Sequence, residues 1–498
     1  MKQDAKADAI DLKSKLVRLQ ASWKRTPNPS YKTRLDRLAR LYAAIKDNEE
    51  RLINAMVADF SNRSRTECKA FDFSIALHEI VHLKRHLRKW MRPRRASVPL
   101  HLQPARARII PQPLGVVGVI SPWNFPIFLS VPPLAAALAA GNQAMLKPSE
   151  LSPRTSEVLK DVLEAAFSAD ELVVVTGGPA IGAEFASLPF DHLVFTGSTA
   201  VGRKVAQSAA PNLTPVTLEL GGKSPAIVTP SADLDVAAER IIFGKTGNAG
   251  QMCVAPDYAL VPREKLNLFV SKLEGVMKAF YPAGTASNEY TAIISDRHKA
   301  RLDAMIAQAK SLGGETKTIQ LDDNETNPSI RKVVPTIVVN PDLSQPIMQE
   351  EIFGPILPVI AYDTQEEALS FVQEEDRPLA LYIFGTQRSD IRFWLKHSIS
   401  GGVCVNEVAL HLLTPNLPFG GVGASGMGSY HGKHGFDQLS HLKAVFTQTK
   451  LNGVFVFSPP VTGLKKKIAS VATRLMEGRM PKPGPKPDLV DPVQDDLP

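Results

Sequence analysis

Along the N-terminal part of the chain, apolar positions recur at intervals of three and four, as in Leu35, Leu38, Leu41 and Ile45. This spacing predicts amphipathic helices through about Trp90. A basic, proline-containing stretch from Met91 to Pro104 interrupts the pattern. Beyond it, short continuous apolar runs alternate with helical periodicity. Val116 to Ile120, Ala144 to Leu146, Leu172 to Val175 and His192 to Phe195 read as buried strands, and Arg154 to Phe167 and Val201 to Ala210 as helices. Apolar strands alternating with helices imply a parallel sheet covered on both faces, which holds ligands at the carboxyl ends of its strands.

One apolar stretch, Leu114 to Ala140, has the length of a membrane span, but Pro122, Pro126, Pro132 and Pro133 together with Trp123-Asn124 break it into a strand, a turn and a helix. A second amphipathic stripe, Leu464, Ile468, Val471 and Leu475, lies beside lysines and is expected to pack against a subunit rather than a membrane. Pro481 to Pro498, rich in proline and acidic residues, is expected to be a disordered tail.

A chain of 498 residues, 44% of them hydrophobic, is large enough for two or three packed units. Its formal charge of +8 resides in runs such as Lys84 to Arg95, which holds the single tryptophan Trp90, and Lys465 to Lys467, which holds no aromatic, so a solvated face is expected and nucleic acid is not. The three cysteines, Cys68, Cys253 and Cys404, are scattered and show no metal-ligand spacing, so neither a disulfide framework nor a metal is expected. Met1 to Leu19 mixes charged with apolar residues and lacks the apolar core of a signal peptide, and a cytoplasmic location is expected.

Two segments carry covalent chemistry. Glu219 lies in Val216-Thr217-Leu218-Glu219-Leu220-Gly221-Gly222-Lys223-Ser224-Pro225, and Cys253 in Gly250-Gln251-Met252-Cys253-Val254-Ala255-Pro256. A thiolate attacks an electrophilic carbon, and a carboxylate activates the water that splits the resulting thioester. By itself this pair also suits a cofactor-independent thioester or ester hydrolase. Lys147-Pro148-Ser149-Glu150 follows a strand and offers a cation and a carboxylate to ribose or phosphate, while Gly197-Ser198-Thr199-Ala200-Val201-Gly202 opens a helix whose free N–H groups can face a pyrophosphate. Asn124, between two prolines at a strand end, offers an amide donor for an oxyanion.

In this order, the segments around Asn124, Lys147, Gly197, Glu219 and Cys253 resemble those of the aldehyde dehydrogenase superfamily, and Glu350-Glu351-Ile352-Phe353-Gly354-Pro355 and Leu417 to Gly428 resemble two further ones. The resemblance spans Ser30 to Phe446. It is closest to the shorter, class-3-like branch and within it to coniferyl aldehyde dehydrogenases, as in Asp59-Phe60-Ser61-Asn62-Arg63-Ser64 and Gly426-Met427-Gly428-Ser429-Tyr430-His431-Gly432. It implies oxidation of an aldehyde through a thioester on Cys253, with Glu219 as base and with Asn124 and the Cys253 N–H as oxyanion donors. It further implies a dinucleotide held by Lys147, Glu150, Gly197, Ser198, Gly202, Leu220, Glu351 and Phe353. NAD is expected, with NADP open because Ala200 stands where longer branches often carry glutamate. Pro133 stands where those branches carry a lysine. The expected substrate is a conjugated aromatic aldehyde such as coniferyl aldehyde, oxidised to ferulate; a medium- or long-chain fatty aldehyde is the alternative.

The fold so implied is α/β and aldehyde-dehydrogenase-like, with two doubly wound parallel-sheet domains and a small bridging, oligomerisation sheet. Residues 1–88 and 113–218 would bind the dinucleotide, 219–400 form the catalytic domain, 89–112 and 401–458 the bridging element, and 459–498 a C-terminal tail. In the family that the chain resembles, this small sheet pairs with another subunit, so the resemblance implies a homodimer.

Overall fold

A computed structural model describes residues 2–311, 315–318, 330–450 and 453–478. The chain divides into two units, one taking in Met1–Arg92 and Pro111–Leu442 and the other Pro93–Ile110 and Lys443 onward.

The larger unit contains two sheets. The strand Val116–Ile120 is buried along its whole length, as are its neighbours Gln143–Lys147 and His192–Thr196, because helices cover both faces and the apolar side chains of each strand have core on either side. These strands pair in parallel, and the sheet runs Gly426–Met427, Val216–Glu219, His192–Thr196, Val116–Ile120, Gln143–Lys147, Leu172–Val174. The exception is its edge strand, Gly426–Met427, which lies antiparallel to Val216–Glu219 with Gly426 opposite Glu219. Helix Pro153–Ala166 begins with proline in its first turn, where the missing N–H costs nothing, and buries Leu159, Val162 and Leu163. The stretch with the length of a membrane span resolves into the strand Val116–Ile120, a turn, and the helix Val131–Ala140, which ends at Gly141 with φ +96°. Among the described residues no helix is long and apolar enough to cross a membrane.

After Glu219 the chain enters the second sheet, whose order is Glu315–Thr318, Thr336–Val339, Ile356–Tyr362, Tyr258–Pro262, Pro225–Val228, Ala380–Phe384, Gly402–Val405. It is parallel apart from the pair at its Glu315–Thr318 edge. One boundary differs from expectation. Gly402–Val405, expected in the bridging element, pairs with Ala380–Phe384 in this sheet, and Gly426–Met427 belongs to the other. Both strands satisfy their backbone groups on edges already present, leaving only Ser440–Thr447 from this region to join Arg94–Ala96 and Arg106–Pro113 in the three-stranded sheet.

In the smaller unit, the expected C-terminal helix spans Gly463–Glu477 and exposes Leu464, Ile468, Val471 and Leu475. The expected disordered tail, Pro481 to Pro498, lies outside the described residues.

Candidate active site

Carboxyl ends of parallel strands converge on one cavity. Thr196 and Glu219 are the last residues of adjacent strands and stand opposite each other in register, while Asn124 lies on the turn after Val116–Ile120. Lys147 ends the next strand, opposite Ile120.

Cys253 reaches the same place from the second sheet's side. Helix Leu234–Thr246 runs into a turn in which Asn248, Ala249 and Gly250 all have positive φ (47°, 51° and 72°), and Tyr258–Pro262 follows. A hydrogen-bonded net holds this strained turn. Gln251 Nε2 donates to Asn248 O (2.9 Å) and Ala292 O (3.1 Å), and its Oε1 accepts from Ile294 N–H (3.0 Å). Asn248 Nδ2 donates to Asn124 O and to Gln251 O, each at 3.1 Å, and Asn124 Nδ2 donates to Gln251 O at 3.2 Å. Strain of this kind persists only where surrounding bonds over-determine it. One amide hydrogen of Asn124 is thereby used and the other is left for a ligand.

The thiol and the carboxyl meet directly. Cys253 Sγ donates to Glu219 Oε1 at 3.2 Å, and Tyr430 OH donates to Glu219 Oε2 at 3.2 Å. Burial pushes the Glu219 carboxyl up to about 6, against the opposing pull of hydrogen bonds from Cys253, Thr196 and Tyr430. The Cys253 thiol is pushed well above its ordinary value, first by burial and then by the neighbouring carboxylate. The resting pair therefore keeps its proton on sulfur, within reach of a base with an affinity suited to neutral pH.

Two arms of space meet at Cys253. The polar arm is lined by Asn124, Gly197, Ser198, Glu219, Glu351 and Phe353 with Trp123, Thr196, His298 and Arg301. A Cβ on Gly221 would lie 2.3 Å from the Glu351 carboxyl, so the missing side chain makes room for Glu351 there. Burial pushes Glu351 up to about 8. Phe353 is held at φ +50° and meets Trp123 edge-on at 5.4 Å. Its segment is anchored by Arg301, which donates to Glu351 O (3.2 Å) and to Ile352 O, and by Asp257, which accepts from Ile352 N–H (3.0 Å). Helix Thr199–Ala209 starts in this arm, Ser198 makes no side-chain capping bond, and while the Val201 N–H bonds Ser198 O (3.1 Å), the Thr199 and Ala200 N–H groups are left to a ligand. A helix terminus with free N–H groups, a carboxyl in a glycine-made recess and a flanking aromatic fit a dinucleotide.

The other arm is apolar, with Phe71, Phe125, Phe128, Phe243, Leu412 and Phe419 among its walls. Phe128, Leu129, Leu412 and Leu413 also line it, whereas Ile127 is in the core and His411 takes Cys404 as partner (3.1 Å).

Not every expected site residue faces these spaces. Lys147 is buried and donates to Glu150 Oε2 at 2.9 Å, away from the lining of the polar arm. Gly202 is buried beneath the helix start, and Leu220 packs on it, since a Cβ on Gly202 would lie 2.5 Å from Leu220 Cδ2. Sequence reasoning assigned no role to Tyr430, Thr196 or Glu67. Thr196 had a readable signal, the strand end just before Gly197. Tyr430 had none, because it arrives through the antiparallel pairing of Gly426–Met427.

Residues 3–445 match the aldehyde dehydrogenase family. A relative from Pseudomonas aeruginosa described as "Probable coniferyl aldehyde dehydrogenase" is 44% identical over 92% of this chain and 95% of its own. Among solved structures, the substrate-bound state of Staphylococcus aureus AldH superposes with a TM-score of 0.87 at 36% identity, covering 93% of this chain and 99% of that one. A Mycobacterium tuberculosis aldehyde dehydrogenase complexed with NAD+ gives 0.78 at 29% identity over 89% and 91%. The chain belongs to the aldehyde dehydrogenase family and is an oxidoreductase that acts on aldehydes with a nicotinamide dinucleotide.

Proposed function

We propose that the preferred substrates are conjugated aromatic aldehydes of the coniferyl aldehyde type, oxidised with NAD to the corresponding acids. The observation that carries this reading is the apolar arm, whose walls include five phenylalanines and which ends at Cys253. The likeness to the "Probable coniferyl aldehyde dehydrogenase" supports it.

In this reading Cys253 gives its proton to Glu219 across their 3.2 Å contact and attacks the aldehyde carbon. Asn124 and the Cys253 N–H hold the oxygen of the tetrahedral adduct as it becomes negative. When bound, the nicotinamide ring supplies the acceptor for the hydride this adduct expels. Water then attacks the Cys253 thioester, with Glu219, freed of its first proton, taking the water's proton. The acid departs and the thiol is restored. Lys147 and Glu150 would hold the adenosine ribose, Gly197 and Ser198 the pyrophosphate with the helix start that Gly202 and Leu220 pack, Glu351 the nicotinamide ribose, and Phe353 the ring's edge.

We also infer a cytoplasmic homodimer that pairs through Ser440–Thr447, the outer strand of the three-stranded sheet, where Leu442 and Phe446 are exposed.

Absorbance of reduced cofactor, measured with coniferaldehyde, cinnamaldehyde, benzaldehyde and hexanal, tests the substrate. The conjugated aromatics should lead in kcat/KM, and a tenfold or greater lead for hexanal, about 1.4 kcal/mol, would assign the enzyme to fatty aldehydes instead.

A further inference from the structure

One helical stretch, Cys68–Ser74 continued by Ile75–Trp90, lines the apolar arm with Phe71 and Ile75 and carries two buried carboxyl groups that the chemistry above leaves unused. Each accepts from a backbone N–H in a segment that builds the site. Asp72 Oδ1 takes the Phe128 N–H (2.5 Å), on the turn that carries Asn124, while its Oδ2 faces Arg63 at 3.4 Å. Glu79 Oε1 takes the Gly432 N–H (2.7 Å), shortly beyond Tyr430. The two segments also meet each other, with the Phe128 and His431 rings edge-on at 5.7 Å.

Gly432 is buried at φ +48°, where a Cβ would lie 1.9 Å from Pro415 O and 3.4 Å from His82 Nε2. Its N–H is out of reach of water, so the bond to Glu79 is what satisfies it. A carboxyl acceptor at 2.7 Å is a stronger tie than the one at the tyrosine's own N–H, which reaches Phe419 O at 3.3 Å. The clamp on the base has little slack. Tyr430 OH stands 3.2 Å from Glu219 Oε2, at the outer edge for two oxygens, so a small drift of this backbone is enough to break it.

We infer that Glu79 is a positioning residue for the base: through Gly432 it sets the backbone that carries Tyr430, and so fixes the hydrogen bond that Tyr430 gives to Glu219. This rests on the reading of Glu219 as the base and extends it to a side chain outside both arms. Glu79, pushed up to about 7 by burial, offers an accepting oxygen in either protonation state, so its own titration leaves the Gly432 bond in place. His82 and His431 beside it are pushed down to about 4, chiefly by burial. The acid limb of activity at about pH 6 therefore reports Glu219 and its donors Cys253, Thr196 and Tyr430.

A role in packing alone is the competing account. It separates from positioning by pH, since a loosened fold lowers the rate at every pH and leaves the limb where it was, whereas a misplaced Tyr430 moves the limb.

The test is a set of pH–rate profiles of the full-length enzyme with cinnamaldehyde and saturating NAD, for Glu79→Ala, Tyr430→Phe and the two together. Glu79→Ala should raise the acid limb by about half a pH unit, the scale of one lost neutral hydrogen bond. Added to Tyr430→Phe it should move the limb no further, because the bond it secures is already gone. Glu79→Gln, whose amide oxygen still accepts, should move the limb less than Glu79→Ala does. A limb left in place by Glu79→Ala while Tyr430→Phe moves it overturns the proposal and spares the base, as do shifts that add in the double variant. A limb that neither variant moves ends the clamp on Glu219 and the proposal with it. If Glu79→Ala does not fold, Glu79→Asp decides: it keeps the charge but falls a methylene short of Gly432, so its limb should also rise, and an unmoved limb overturns the proposal.

Discussion

Tyr430 OH donates to Glu219 Oε2 at 3.2 Å while Oε1 of the same carboxyl faces Cys253 Sγ at 3.2 Å, so one carboxyl is clamped between a phenol and the reactive thiol. Tyr430 is buried, and its ring meets Phe419 and His431 edge-on. The clamp fixes which oxygen points at the cysteine. It also stabilises the ionised carboxylate against burial, which pushes Glu219 up to about 6. Because the base acts when ionised, activity should fall as pH drops through about 6. Tyr430→Phe removes a bond that lowers this value, so the acid limb should move to higher pH, with deacylation slowed by about tenfold. A pH–rate profile checks both, and an unmoved limb would show that the phenol does not tune the base.

The thiol and the carboxyl should fail differently when removed. Cys253→Ala should abolish cofactor reduction together with labelling by thiol reagents at the site. Glu219→Gln should still form the thioester and then stall, giving a burst of about one reduced cofactor per active site followed by a slow steady state. Stopped-flow absorbance distinguishes the two variants.

Cofactor preference turns on Glu150, half-exposed and paired with Lys147 at 2.9 Å. Its carboxylate should accept from a ribose 2′-hydroxyl and repel a 2′-phosphate, so NAD should be preferred. Glu150→Gln should narrow the preference by about tenfold, read as the ratio of kcat/KM for the two dinucleotides. A clear lead for NADP in the unmodified enzyme would refute this role for Glu150.

Asn142 gives a prediction for stability. It is fully buried, its Oδ1 accepts from the N–H groups of Leu114 (2.7 Å) and Gly115 (3.0 Å), and its Nδ2 donates to Leu439 O (2.9 Å). Asn142→Ala strands two donors and an acceptor away from water and should cost about 3 kcal/mol, seen as a lowered denaturation midpoint.

Local pattern determined much of this protein. Continuous apolar runs marked Val116–Ile120 and His192–Thr196 because strands buried on both faces need no polar positions, and Gly197 and Ser198 could be placed at a helix start because a strand preceded them. Glu219 and Cys253 could be named as base and nucleophile since their chemistry is carried by residue type within recognisable segments. Tertiary structure alone decided what stands between and around them. Tyr430 reaches Glu219 because Gly426–Met427 adds antiparallel to the edge of the sheet, and Gly402–Val405 joins the second sheet because that edge was open to it. Glu67 meets the catalytic turn only through its bonds to Asn248 and Thr291, far along the chain. Periodicity reports whether a face is buried. Which distant backbone edge or donor completes that burial is settled only when the whole chain has to satisfy its hydrogen bonds at once.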